Sequence, residues 1–137
     1  MSTGTDSVIP DVPQFAVAGS FLDGLAVQDF HRLGATLAAD ARLRALVPPG
    51  LKEWTGADEI AGQFAFWFGD TEAFDLVDAS VGEVGGRIHL RWRLRLRAAR
   101  LGDGWFTVEQ QAYADADDYG YLARLDLLCT GYRPELP

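Results

Sequence analysis

Residues 87–97 read Arg-Ile-His-Leu-Arg-Trp-Arg-Leu-Arg-Leu-Arg, an unbroken alternation of polar and apolar side chains. A β-strand sends successive side chains to opposite faces, so Ile88, Leu90, Trp92, Leu94 and Leu96 share one face. Arg87, His89, Arg91, Arg93, Arg95 and Arg97 share the other. A helix would scatter both sets around its circumference. A strand is therefore predicted, with one face on a core or cavity wall and the other wet or paired with acids.

The neighbouring segments extend this into a sheet. Phe74–Glu83 reads as a strand turned at Gly85-Gly86, and the alternating strand runs on to Arg100 and turns at Gly102-Asp103-Gly104. Trp105–Ala114 follows, then a break at Asp115–Gly120, then a last strand over Tyr121–Tyr132. Four strands joined by short Gly/Asp-rich turns make an antiparallel meander, because parallel neighbours need long crossovers.

Upstream the period changes to that of helices. Phe15, Ala18, Phe21, Leu22 and Leu25 lie on one stripe, and a second short helix starts near Asp29, a suitable N-cap, carrying Phe30, Leu33 and Leu37. Arg42–Val47 is a short strand stopped by Pro48-Pro49-Gly50, which cannot continue a ladder. A third helix has Thr55 as N-cap, Asp58 in a capping-box position, and an Ile60, Phe64, Trp67, Phe68 stripe ended by Gly69-Asp70. Segregated helices and strands predict an α+β fold, with three N-terminal helices packed on a curved antiparallel sheet. Residues 1–13, small and polar with Pro10 and Pro13, are expected to be a flexible leader to a single domain over 14–134.

Composition bounds the function. At 137 residues the chain is one domain able to bury roughly 70% of its unfolded surface. Twenty acids against twelve bases give a net charge of −8, which disfavours nucleic acid and anionic membranes as partners. Cys129 is the only cysteine, so no internal disulfide forms, and one thiol with two histidines gives no basis for a structural zinc site. No apolar run approaches the roughly 20 residues of a membrane span, and the N-terminus lacks the charged-then-apolar pattern of a secretory signal. A cytoplasmic setting is expected. No metal or other cofactor is called for.

Three stretches carry a resemblance: Leu37-Ala38-Ala39-Asp40-Ala41 closing the second helix, Thr55-Gly56-Ala57-Asp58-Glu59-Ile60 opening the third, and Leu125-Asp126-Leu127-Leu128-Cys129-Thr130-Gly131-Tyr132-Arg133-Pro134 at the end. With the element order, they make residues 15–133 resemble the nuclear transport factor 2-like superfamily. Its members include ketosteroid isomerase, limonene epoxide hydrolase and the SnoaL-like polyketide cyclases. The resemblance implies a cone-shaped α+β barrel of cystatin-like topology with a small-molecule pocket, and a homodimer formed through the outer sheet face. The fold hosts enzymes, binders and dimerisation modules, so it does not by itself imply an activity.

Ketosteroid isomerases hold an oxyanion with a tyrosine and a protonated aspartic acid and shuttle a proton on a second aspartate. The resemblance places Phe21, Gln110 and Ala45 at these three positions. A phenyl ring and a methyl group neither donate to an oxyanion nor accept a proton, so that chemistry is not expected.

With the helices over the concave face, the apolar set of each strand points inward. In the last two strands these are Phe106, Val108, Gln110 and Ala112, then Ala123, Leu125, Leu127 and Cys129. The expected pocket wall is Phe21, Phe64, Phe68, Trp92, Val108, Gln110, Leu127 and Cys129, suited to a hydrophobic, ring-bearing ligand. Each aromatic could equally be core filler. A buried Gln110 needs hydrogen-bond partners and could orient a ligand carbonyl or bind a neighbouring backbone group. Cys129 reads as a small hydrophobe rather than a nucleophile, since His89 falls on the opposite face and His31 at a helix surface. The outer arginines are expected to form a cross-strand charge ladder with Glu109 and Asp126.

Asp78 and Gln110 are the candidate catalytic residues. The strand 74–83 has two possible inward sets, Phe74, Leu76, Asp78 and Ser80 or Asp75, Val77, Ala79 and Val81; an inward Asp78 would have a raised pKa and act as a general acid or base. Two functions follow: an isomerase, cyclase or hydratase acting on a hydrophobic polyketide- or terpenoid-like molecule, or a non-catalytic ligand-binding or dimerising module.

Overall fold

The alternating strand, β4 (Arg87–Arg97) in the chain's order of strands, pairs antiparallel with β3 (Ala73–Val84) on one side and β5 (Phe106–Ala116) on the other. The computed structural model describes residues 12–136. Beyond β5 the sheet continues antiparallel into β6 (Leu122–Cys129), which lies parallel to β1 (Leu37–Val47), itself antiparallel to β2 (Gly50–Thr55). A two-residue β7 (Arg133–Pro134) pairs with the start of β5. The order is β2-β1-β6-β5-β4-β3. The predicted antiparallel meander is thus β3 to β6, and one parallel joint attaches the N-terminal strands to it.

The inward face of β4 is as the alternation dictates. Ile88 is 3% exposed and Leu90, Trp92, Leu94 and Leu96 are fully buried. Helix α1 (Val12–Ala26) lies over β3 and β4, α2 (Phe30–Gly34) bridges it to α3 (Ala57–Phe68), and α3 lies over β1 and β2. Phe21 of α1 and Phe64 of α3 meet edge to face, with ring centroids 5.4 Å apart, and both rings reach Trp92, at 5.7 and 6.3 Å. Burying each such ring contributes about 1.5–3 kcal/mol, which makes this cluster the anchor of the helix layer.

Several expectations are corrected. Leu37–Ala41 does not close the second helix; it opens β1, because α2 stops after one turn at Gly34. Asp29 does cap α2, accepting from the Arg32 amide at 3.0 Å. Thr55 is not the N-cap of α3 but the end of the unforeseen strand β2; Gly56 takes the cap position at φ 99°, without a side-chain bond. β4 ends at Arg97 and gives way to a 3₁₀ turn at Ala99–Leu101. β6 ends at Cys129, and Leu122 rather than Ala123 is its first fully buried residue, because the pairing with β5 skips Ala123. The leader expected over 1–13 falls mostly outside the described residues; Val12 and Pro13 belong to α1.

The outer face carries the expected charge pairs with partly different partners. Arg87 contacts both Asp115 at 3.0 Å and Asp126 at 2.9 Å, Arg44 also reaches Asp126 at 2.9 Å, and Arg95 holds Glu135 at 2.7 Å. His89 bonds Gln111 at 2.9 Å on this face, and His31 is exposed.

Candidate functional site

Where α3 ends, the sheet and the chain that follows β6 stand apart and enclose a cavity of about 640 Å³. Val108 and Gln110 of β5 and Cys129 of β6 form its sheet side. Trp67 and Phe68 close it from α3, Trp54 from β2, and Tyr132 from the C-terminal segment. Lys52, Arg100 and the Pro48-Pro49 turn border it as well. Gly131 is required here: its φ is +77°, and a Cβ would stand 2.6 Å from Pro48 Cγ, a clash no side chain avoids.

Gln110 is the decisive group. It is 2% exposed, and its Oε1 accepts the indole N–H of Trp92 at 2.9 Å. An indole nitrogen only donates, so the amide oxygen must face Trp92, which settles the orientation of the amide and leaves its nitrogen to find another partner. That nitrogen has no hydrogen-bond partner among the described residues. A buried unsatisfied donor costs about 1–3 kcal/mol, and Gln110 borders the cavity.

The remaining polar groups are tied to one another. The Tyr132 hydroxyl donates to the Trp67 carbonyl at 2.6 Å, and Arg100 Nη2 donates to the same carbonyl at 2.7 Å and to the Tyr132 hydroxyl at 3.1 Å. Burial pushes the Tyr132 pKa up against the opposing pull of Arg100, so the phenol stays protonated, with its proton engaged by a carbonyl. Gln28 anchors the far end of the wall, its Nε2 donating to the Phe68 carbonyl at 2.7 Å and to Thr71 Oγ1 at 2.8 Å. Cys129 Sγ accepts the Gly131 amide at 3.3 Å.

Of the expected wall, the structure brings Phe68, Val108, Gln110 and Cys129 together around the cavity. Phe21, Phe64 and Trp92 are fully buried core, and Leu127, 3% exposed, also lies outside this lining. The hollow is therefore displaced from Trp92, whose surroundings are filled by rings, toward the end of β6. Sequence reasoning missed Trp54, Lys52, Arg100 and Tyr132 as lining residues.

Asp78 does not point inward. The β3–β4 pairing shifts register between Leu76 and Asp78, so Leu76 opposes the inward Leu94 while Asp78 opposes the outward Arg93. The bulge splices the two possible inward sets: Phe74 and Leu76 pack on the core before it and Val81 after it, while Ala79, in register with Trp92, remains exposed at the sheet edge. Asp78 accepts from Arg91 at 2.9 Å, and that hydrogen bond lowers its pKa rather than raising it.

A second cavity of about 500 Å³ shares Val47, Pro48, Gln110 and Cys129 with the first and extends along the outer face past Arg91, Glu109 and Gln111. Among the described residues, Glu109 is the one carboxylate bordering either of these two spaces.

No protein-family model and no curated protein sequence matches the chain. Solved structures do. A phenazine biosynthesis-related protein from Pseudomonas aeruginosa superposes with a TM-score of 0.72 at 12% identity, over 95% of this chain and 83% of that one. A candidate SnoaL-like polyketide cyclase from Shewanella denitrificans gives 0.64 at 13% identity, over 85% and 89%. A steroid delta-isomerase from Pseudomonas aeruginosa gives 0.60 at 17%, over 85% and 79%. At such identities the likeness is one of fold.

Proposed function

The chain has the SnoaL-like fold of the nuclear transport factor 2-like superfamily, and from that premise we propose that it binds a hydrophobic, ring-bearing small molecule. The ligand lies among Trp54, Trp67 and Phe68, with an oxygen acceptor on the Gln110 amide nitrogen. The observation that carries this reading is the fixed, unpartnered donor of Gln110 beside an aromatic cavity. A cavity of this size suits a ligand of polyketide or terpenoid dimensions.

The same geometry favours binding and orientation over proton transfer. Among the described residues no carboxylate or histidine lines the cavity, and the Tyr132 proton is held by the Trp67 carbonyl. Turnover in such a site, whether isomerisation, cyclisation or hydration, would rest on positioning the substrate and polarising its carbonyl through Gln110. The lone cysteine is in keeping with a cytoplasmic setting.

Calorimetric titration of 2-acetylnaphthalene and 2-ethylnaphthalene tests this. Replacing Gln110→Met is expected to weaken the ketone about tenfold and leave the hydrocarbon within about twofold, the worth of one hydrogen bond. Equal losses for both would remove the role given to Gln110. No binding of either would remove the pocket.

The homodimer is proposed on a separate observation. Leu51, Leu46 and Leu128 stand in register across β2, β1 and β6 on the outer face, at 61%, 49% and 43% exposure. A second copy would cover this row. Sedimentation velocity should show a dimer that Leu46→Glu converts to monomer; a monomeric wild type would refute it.

A further inference from the structure

The cavity has a sign of charge opposite to that of the protein. The chain carries twenty acids and twelve bases, yet among the described residues the cavity is lined by two cations, Lys52 and Arg100, and by no aspartate or glutamate. Lys52 is the only lysine in the sequence. Among the described residues neither cation forms an ion pair with an acid, whereas Arg44, Arg87, Arg91 and Arg95 of the outer face all do.

Arg100 is also held in place. Its Nη2 is fixed by the Trp67 carbonyl and the Tyr132 hydroxyl, and its guanidinium carbon lies 5.1 Å from the Tyr132 ring centre and 6.0 Å from that of Phe66. These contacts engage one nitrogen and the ring faces. They neutralise no charge and leave donors of the planar fork for a ligand. A guanidinium positioned by neutral groups at the edge of an apolar cavity is a preorganised carboxylate receptor.

Resting on the binding reading above, we propose that the ligand is an anion: a ring-bearing carboxylate. Its ring system stacks among Trp54, Trp67 and Phe68, its carboxylate is held by Arg100 with Lys52 adding long-range attraction, and a ring oxygen reaches Gln110. The net charge of −8 repels anions from the rest of the surface, so the two cations also select where such a ligand lands.

The test compares 2-naphthoate with its neutral isostere 2-naphthamide by isothermal titration calorimetry on the wild-type chain. Naphthoate is expected to bind about tenfold more tightly than the amide at about 20 mM salt, with the gap narrowing as salt screens the charges. Arg100→Met should remove most of that preference and leave the amide within about twofold; Lys52→Gln, at an exposed position that does not support the fold, should reduce it by about threefold. Equal affinity for the two probes, or a preference that survives both substitutions, overturns the anion proposal while leaving an apolar pocket in place. Failure of both probes to bind overturns the pocket itself and the anion proposal with it.

Discussion

The Trp92 indole and the Gln110 amide, opposite one another on β4 and β5, are joined by a 2.9 Å hydrogen bond that links the filled core to the open cavity. Trp92 is fully buried against Phe21 and Phe64, and its N–H holds the amide oxygen of Gln110, a residue that borders the cavity. Replacing Trp92→Phe should destabilise the fold by about 1–3 kcal/mol, from lost packing and a second unsatisfied group. It should also free the amide to invert and erase the preference for 2-acetylnaphthalene over 2-ethylnaphthalene. Denaturant unfolding and calorimetry read the two effects separately. A preserved preference would mean that Trp92 does not orient Gln110.

Core and lining aromatics should separate by assay. Phe64, fully buried and in contact with four other rings, is expected to cost about 3–5 kcal/mol when changed to alanine. Trp67→Ala should cost less stability, because Trp67 is only half-buried, and more binding. Thermal melts beside ligand titrations of the two variants check the crossover; the reverse ranking would place the ligand elsewhere.

Acid should act on the outer face before it reaches the cavity. Burial alone would raise the Asp126 pKa, but hydrogen bonds from Arg44 and Arg87 outweigh it and the net shift is downward. A carboxyl lowered in the folded state contributes stability that is complete above its unfolded pKa and is lost as pH falls through the folded one. Asp126→Asn should therefore be less stable than wild type at pH 7. The two should converge below about pH 4. Asp78→Asn should follow the same trend through Arg91 and leave ligand affinity untouched. Denaturant midpoints across pH, with one titration at pH 7, decide this; a loss of binding in the Asp78 variant would return that residue to the site.

Gly131→Ala tests how the cavity is closed. The positive φ and the 2.6 Å approach to Pro48 Cγ should cost more than about 1 kcal/mol in stability. The Pro48-Pro49 turn must move to admit the methyl group, so affinity for either naphthalene probe should fall. A variant with wild-type melting and binding would show that this contact is slack.

How far the sequence reveals the site follows from which residues carry it. The period-two strands announce their own faces, so the burial of Leu90 and Trp92, Val108 and Gln110, and Leu125 and Leu127 was legible from alternation. Alternation fails at bulges, which is why the face of Asp78 stayed open between two sets and why Ala123 is only partly buried: one skipped pairing reverses every face beyond it. β2 was hidden because Gly50–Thr55 lies at the sheet edge and has almost no buried residue to set a period. The cavity rim comes from Lys52 and Trp54 of β2, Arg100 after β4 and Tyr132 after β6, three segments far apart in the chain. No local pattern joins them; only the tertiary fold does.

The parallel joint between β1 and β6 has a consequence for how the chain reaches this state. Residues 37–46 wait for partners at 122–128, so β1, which can pair early with β2, joins the main sheet only after β6 has been synthesised. Contacts so distant along the chain slow folding. The cavity, bordered by residues of β2 on one side and of β5, β6 and the segment after β6 on the other, is accordingly among the last parts of this fold to take shape.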